Sequence, residues 1–193
     1  MAADTREKLM NEAEALFVRR GFYGTSINDV ASAVGVSKQG LLHHFPTKEK
    51  LYAAVLQRAA EQLRGLVAES RESADTASAQ VAKVFQQMSR AGGSVPGITV
   101  LLMRELLDNR ERIDEVHQWF MRPFLDDLVA LVEAAQAQGN FQGSPALAFV
   151  YQLLGAIQYY LISVPTLKKL YTEKEFRAHE KAHYALLENI LNS

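Results

Sequence analysis

Two apolar-patterned segments, each about two helical turns long, flank Gly35-Val36-Ser37, and this arrangement constrains the chain more than any other. Helices that short do not hold together alone in water, so both must be pressed onto a third element. Ser26-x-x-Asp29 opens the first as a capping box, and Ile27, Val30, Ala31 and Val34 share one face. Gly35 is placed to end it. Ser37 N-caps the second, which runs to about Phe45, because Pro46 disfavours helical geometry in the residue before it. Two short helices joined across a glycine turn form a helix-turn-helix pattern.

Helical spacing continues on both sides. Upstream, Asp4-x-x-Glu7 reads as a capping box before Leu9, Ala13, Leu16 and Phe17, with Gly21 as the stop. Downstream, Thr47 caps a longer helix through Leu51, Val55, Leu56, Ala59, Leu63, Leu66 and Val67. Val81, Val84, Phe85 and Met88 predict a helix ended by the breaker from Gly92 to Gly97, and Ile98 to Leu107 is almost wholly apolar. A long helix is expected from about Arg110 to Gln138, kinked at Pro123. Another is expected over 145–163, ended by Pro165, and a last one from Glu173 to Asn192. No segment alternates as a strand would, and no repeat is present. The expected fold is all-α, with a three-helix unit over residues 1–50 and a helical bundle over residues 51–193.

Charge separates along the same division. Residues 1–64 carry a net +2 and residues 65–193 a net −3. Lys38, Lys48 and Lys50 face only Glu49 within residues 38–50, with His43 and His44 between them, a local positive patch suited to phosphates. The chain has no cysteine, which excludes disulfides, thiolate metal sites and a thiol nucleophile. The N-terminal residues lack a signal-peptide profile, and no run approaches the ~18 uninterrupted apolar residues of a spanning helix, so a soluble cytoplasmic protein with no membrane partner is expected.

With Leu41 and Phe45 as the buried face of the second short helix, 100° per residue turns Gln39 and His43 outward, with Gly40 beside them. Gln39 can pair with adenine through both its amide atoms, and Lys38 can reach guanine or phosphate. Gly40 either allows close backbone approach to a ligand or is a tolerated surface glycine costing about 1 kcal/mol relative to alanine. Thr25, Ser26, Ser37, His44, Thr47 and Lys48 sit at helix starts and flanks, where amides, hydroxyls and an ammonium suit phosphate oxygens; the hydroxyls also serve as caps. For His43 and His44 the alternative is a merely exposed imidazole, and the motif favours DNA contact for both.

The run from Gly21-Phe22-Tyr23-Gly24-Thr25-Ser26-Ile27-Asn28-Asp29-Val30-Ala31 through Gly35-Val36-Ser37-Lys38 to His43-His44-Phe45-Pro46-Thr47-Lys48-Glu49 resembles the TetR family of transcriptional regulators. The resemblance covers about residues 5–55. It implies a DNA-binding domain followed by an effector-binding and dimerisation bundle, which varies widely in this family. Leu42 stands where the family most often has a phosphate-contacting tyrosine, so that role does not carry over. Gln39-Gly40 replaces the commoner glycine and small residue, which leaves base preference open.

In the second part, Phe85, Met88, Met103, Trp119, Phe120, Phe124 and Tyr151 exceed what a thin helical layer needs, and a subset is expected to line an effector cavity. Arg104 within an apolar helix is either a polar anchor for an anionic group or half of an ion pair with Glu105, Asp108 or the long helix; Gln158 is a weaker candidate anchor, as is His117. Leu147, Val150, Leu154, Ile157 and Leu161 form one stripe on the 145–163 helix. Phe149, Leu153, Ala156 and Tyr160 form another, and two stripes imply burial on two sides. The first stripe, with His179, His183, Leu186 and Ile190 of the last helix, is assigned to a partner subunit. His179 and His183 lie four apart, but zinc wants three or four ligands, and neither a cysteine nor an evident carboxylate completes the set, so packing is preferred to metal binding. No catalytic motif and no cofactor fingerprint stands out.

The chain therefore reads as a homodimeric, ligand-responsive regulator and non-enzyme, a repressor released from a palindromic DNA operator by a small, largely apolar effector. The alternatives are a dimeric regulator without a small-molecule effector, and an all-α carrier or enzyme with a vestigial helix-turn-helix.

Overall fold

A computed structural model describes residues 2–89, 94–108 and 120–192, and every described element is helical or turn. In chain order these are α1 (Ala2–Arg20), α2 (Ile27–Val34), α3 (Lys38–His44), α4 (Lys48–Ser73), α5 (Ala77–Ser89), α6 (Ser94–Asp108), α7 (Arg122–Ala137), α8 (Ala146–Leu170) and α9 (Glu173–Leu191). They group into two compact units: residues 1–62 with 97–120, and residues 63–96 with 121–193.

The first unit is built on α1. Leu9, Ala13, Leu16 and Phe17 are buried together with Val30 and Ala31 of α2, Leu41 of α3, Phe45, and Leu51, Tyr52 and Val55 of α4. The Tyr52 ring meets Phe17 edge-on at 4.8 Å between centroids, and its hydroxyl donates a 2.7 Å hydrogen bond to Glu105 of α6. Ile98, Leu101 and Leu102 of α6 are buried as well. Arg58 of α4 is gripped from several sides, by Glu14 at 2.6 Å, Glu7 at 3.0 Å, Asn11 at 2.8 Å and the Met10 carbonyl at 3.1 Å.

The second unit buries Val81, Val84, Phe85 and Met88 of α5, Phe124, Leu128, Leu131, Val132 and Ala135 of α7, and Phe149, Val150, Leu153 and Ile157 of α8, with Phe176, Leu187 and Leu191 of α9. Thr172 and Glu175 cap α9 reciprocally, the threonine hydroxyl donating to the carboxylate at 2.7 Å.

Several boundaries differ from expectation. α1 begins before Asp4, which pairs with Lys8 one turn on instead of capping. α6 starts at Ser94, inside the expected breaker, with Pro96 in its first turn, where a missing N–H costs least. Pro123 likewise opens α7 and kinks nothing described; the expected residues 110–119 of that helix, with Val116, His117 and Trp119, lie outside the described residues. Pro165 does not end α8, which continues through it to Leu170 and closes on a 3.0 Å bond from the Tyr171 amide to the Leu167 carbonyl. α8 is the most apolar of the described helices, although Gln152 and Gln158 interrupt its apolar run. It is 25 residues long and holds an 18-residue window of mean hydropathy 1.5, long and apolar enough by length and composition to cross a membrane, with 28% of that window buried within the chain.

Candidate nucleic-acid interface

The helix pair α2 and α3 is fixed at its start, at its turn and at its end. The Ser26 hydroxyl and amide donate to the Asp29 carboxylate at 2.7 and 2.8 Å, and the Asp29 amide donates back to the hydroxyl at 3.1 Å. These bonds hold the Asp29 carboxyl below its ordinary pKa and keep it ionised. Gly35 closes α2 in the left-handed region at φ 76°, which a side chain would resist. Gly24 is required by close approach, since a Cβ there would meet the Arg20 carbonyl oxygen at 2.3 Å. The Ser37 hydroxyl then accepts the Gly40 amide at 3.0 Å, and the Phe45 amide closes α3 on the Leu41 carbonyl at 2.9 Å.

So clamped, α3 buries Leu41 and leaves Lys38, Gln39 and His43 exposed, with Gly40, Leu42 and His44 half-buried. The His43 and His44 rings lie 5.6 Å apart. Thr47 starts α4, accepting the Lys50 amide at 3.2 Å, and the Lys48 ammonium sits 4.1 Å from the centroid of the Phe22 ring. Glu49 is held below the usual carboxylate range by its own backbone amide and the Thr47 hydroxyl. Ser26, Ser37 and Thr47 are exposed, so capping leaves them on the surface. Thr25 is not presented. It is 2% exposed, and its hydroxyl donates inward to the Gly21 carbonyl at 3.0 Å. At Gly40 a Cβ would meet Ser37 Oγ at 3.4 Å and Val36 Cβ at 3.8 Å, so nothing in the chain itself demands glycine there.

The expected effector residues do not converge. Arg104 forms no ion pair among the described residues, which leave out the Asp108 side chain and residues 110–119; its Nε and Nη2 donate to the Val18 and Arg19 carbonyls at 2.9 and 3.1 Å, satisfying the C-terminal end of α1. Tyr151 and Phe120 are exposed, Phe124 and Met88 are closed into the core, Gln158 is buried, Met103 is half-buried, and Trp119 lies outside the described residues. Only Phe85 lines the cavity of about 410 Å³ in the second unit, whose other walls are Gln86, Ser89, Ile157, Glu180, Tyr184, Leu187, Glu188 and Leu191. The wall from α9 went unforeseen, although Tyr184, Leu187 and Leu191 follow helical spacing.

The expected partner face is redrawn too. Val150 and Ile157 belong to the second unit's own core, and Leu154 and Leu161 are half-buried. Leu147 stays exposed on an arc with Tyr151, Tyr159 and Ile162, and on α9 Leu186, Ile190 and His179 are exposed. His183 stacks on Tyr160 at 3.9 Å between centroids, and its Nε2 has no hydrogen-bond partner among the described residues. Its burial holds its pKa below the ordinary histidine value.

Residues 9–55 match the family model for bacterial regulatory proteins of the tetR family. The match covers about a quarter of the chain, the stretch that holds α2, α3 and the start of α4. It is 26% identical over 153 residues to the transcriptional repressor KstR2 of Rhodococcus jostii, covering 77% of this chain and 74% of that one. The TetR-family transcriptional regulator of Agrobacterium tumefaciens superposes with a TM-score of 0.75 at 18% identity, over 98% of this chain and 99% of that one. AibR, solved in complex with isovaleryl coenzyme A and operator DNA, superposes with a TM-score of 0.65 at 20% identity, over 81% and 85%. The TetR-family fold is thus shared along the chain. Matches to other regulators, LmrA of Bacillus subtilis and RutR of Escherichia coli, span only 38% and 25% of those proteins' lengths.

Proposed function

We propose that the chain is a homodimeric, effector-responsive transcription regulator, a repressor acting in the cytoplasm on a palindromic operator. The division of labour follows the sequence, with DNA binding in residues 1–50 and effector binding with dimerisation in residues 51–193. The observation that carries this reading is the clamped α3, with Gln39 and His43 exposed beside Lys38. A short helix locked at both ends offers its side chains to a major groove without a further ordering cost. Gln39 reads base edges, while Ser26, Ser37, His44, Thr47 and Lys48 position the backbone. AibR, which shares the fold, was solved with both a ligand and operator DNA, and so supports the same pairing of activities here.

Dimerisation through the exposed arc of α8 and α9 would set two recognition helices ~34–36 Å apart, one turn of duplex. A small, largely apolar effector in the cavity of the second unit favours a dimer of the wrong spacing. Reversing occupancy from 99:1 to 1:99 takes ~5.5 kcal/mol of differential affinity. Selection of bound duplexes from a random pool, repeated with a panel of apolar small molecules, tests both halves. Recovery of a palindromic site whose binding weakens with salt and with one compound supports the reading. Salt-insensitive or absent DNA binding overturns it, and a selected site that no compound releases leaves a regulator without a small-molecule effector.

A further inference from the structure

The cations of the first unit fall into two groups. Arg58 is paired with Glu7 and Glu14, Lys8 with Asp4, and Arg20 lies 4.0 Å from Asp29. Six others form no ion pair among the described residues; Arg19 and Arg104 donate to main-chain carbonyls, which leaves Arg6, Lys38, Lys48 and Lys50. Three of these four lie in the positive stretch at 38–50. Arg6 lies far from it in sequence, yet the fold carries it to the same place. It precedes Leu9 and Met10 by one turn on the buried stripe of α1, so it leans over the edge of the core, and its guanidinium carbon is 4.9 Å from the centroid of the Phe45 ring. Phe45 is the C-cap of α3 and stands three residues before Lys48.

A guanidinium held over a ring by its charge spends none of its N–H donors on an acceptor there. None of the Arg6 donors has a hydrogen-bond partner among the described residues, and the side chain is exposed. This contact places a cation beside the end of α3 with its planar fork unspent, a group that suits two oxygens of one phosphate.

We propose that Arg6 is a further backbone-contacting residue, binding a phosphate of duplex nucleic acid from α1 at the edge of the α3 surface. This rests on the nucleic-acid reading above and extends it to a helix outside the helix-turn-helix. Phosphates are the same at every sequence, so the test needs no operator. Binding of the full chain to a mixed-sequence duplex is measured by fluorescence anisotropy between 50 and 200 mM KCl, with thermal melting of each variant alongside. Arg6→Ala lowers affinity about eightfold at 0.1 M salt and flattens the slope of log K against log salt by about 0.9, the loss of one phosphate contact. Arg6→Lys keeps most of the slope, and Arg177→Ala, whose partner is Glu173 on α9, behaves as the parent.

A folded Arg6→Ala variant with the parent's slope and affinity overturns the proposal and leaves Arg6 as a strut on Phe45. Absence of salt-dependent duplex binding by the parent chain removes the nucleic-acid reading itself, a result separate from any effect at position 6.

Discussion

At the scale of single residues, the proposed function gives base reading to α3 and backbone contact to the start of α4. Replacing Gln39 with alanine is expected to relax base preference at one position of the selected site and cost about 1–3 kcal/mol there. Lys48→Ala should weaken all sequences alike and flatten the salt dependence by about one unit. Its ammonium lies over the Phe22 ring much as the Arg6 guanidinium lies over Phe45. Anisotropy titrations on the selected duplex and on point-changed versions distinguish the two, and a changed sequence preference in Lys48→Ala would reverse the assigned roles. His183 carries a pH dependence. Its folded pKa lies below the unfolded value near 6.5, and Tyr160, Glu180 and Tyr184 are the titratable groups around it. The unfolded chain then binds the proton more readily, so the contribution of His183 to stability is complete above the unfolded pKa and falls as pH drops through it toward the folded one. Melting temperatures compared at pH 7.5 and 5.5 should fall more in the parent than in His183→Phe.

At the scale of elements, the caps were the most legible part of the chain. Ser26 with Asp29, Ser37 and Thr47 cap with side chains as expected, because a hydroxyl three residues before an orphan amide has one local use, whereas Asp4 does not cap and Thr172, which caps α9, was not read. Prolines were read too strictly. Pro96 and Pro123 fall in first turns, and Pro165 is carried within α8; the residue type alone does not say which. Arg104 was read for its charge, whereas its partners are two main-chain carbonyls more than eighty positions away, which no local pattern could announce. Arg104→Ala is therefore expected to lower the stability of the first unit by about 1–3 kcal/mol, measured by urea unfolding, through the carbonyls it leaves without that donor. Gly40→Ala should raise the melting temperature, since the position is helical and the added Cβ finds ordinary contacts. The same substitution should weaken duplex binding. Unchanged binding would make Gly40 a tolerated surface glycine.

For the whole molecule, the boundary between core and exposed face on α8 was not legible, because the helix is apolar all round and periodicity gives no direction to such a cylinder. The core takes Phe149, Val150, Leu153 and Ile157, drawn from both expected stripes, and the outward arc passes through Leu147, Tyr151, Tyr159 and Ile162. Charged substitutions should accordingly act in two ways. Tyr159→Glu or Leu186→Glu, at positions 76% and 63% exposed, should leave the fold intact and yield a monomer in sedimentation velocity. Ile157→Glu buries a charge and should unfold the second unit instead. A well-folded dimer from Tyr159→Glu would refute the arc as the subunit interface.

A single copy with this arc uncovered is an amphiphile. At about 1.5 Å per residue, the 25 residues of α8 extend about 37 Å, against about 30 Å for the oily layer of a bilayer. Detergent molecules compete for the same strip that self-association would cover. Micelles added to dilute protein should pull subunits apart without melting their helices, and the detergent left behind after purification becomes a hidden variable in any measurement of how tightly two copies hold together.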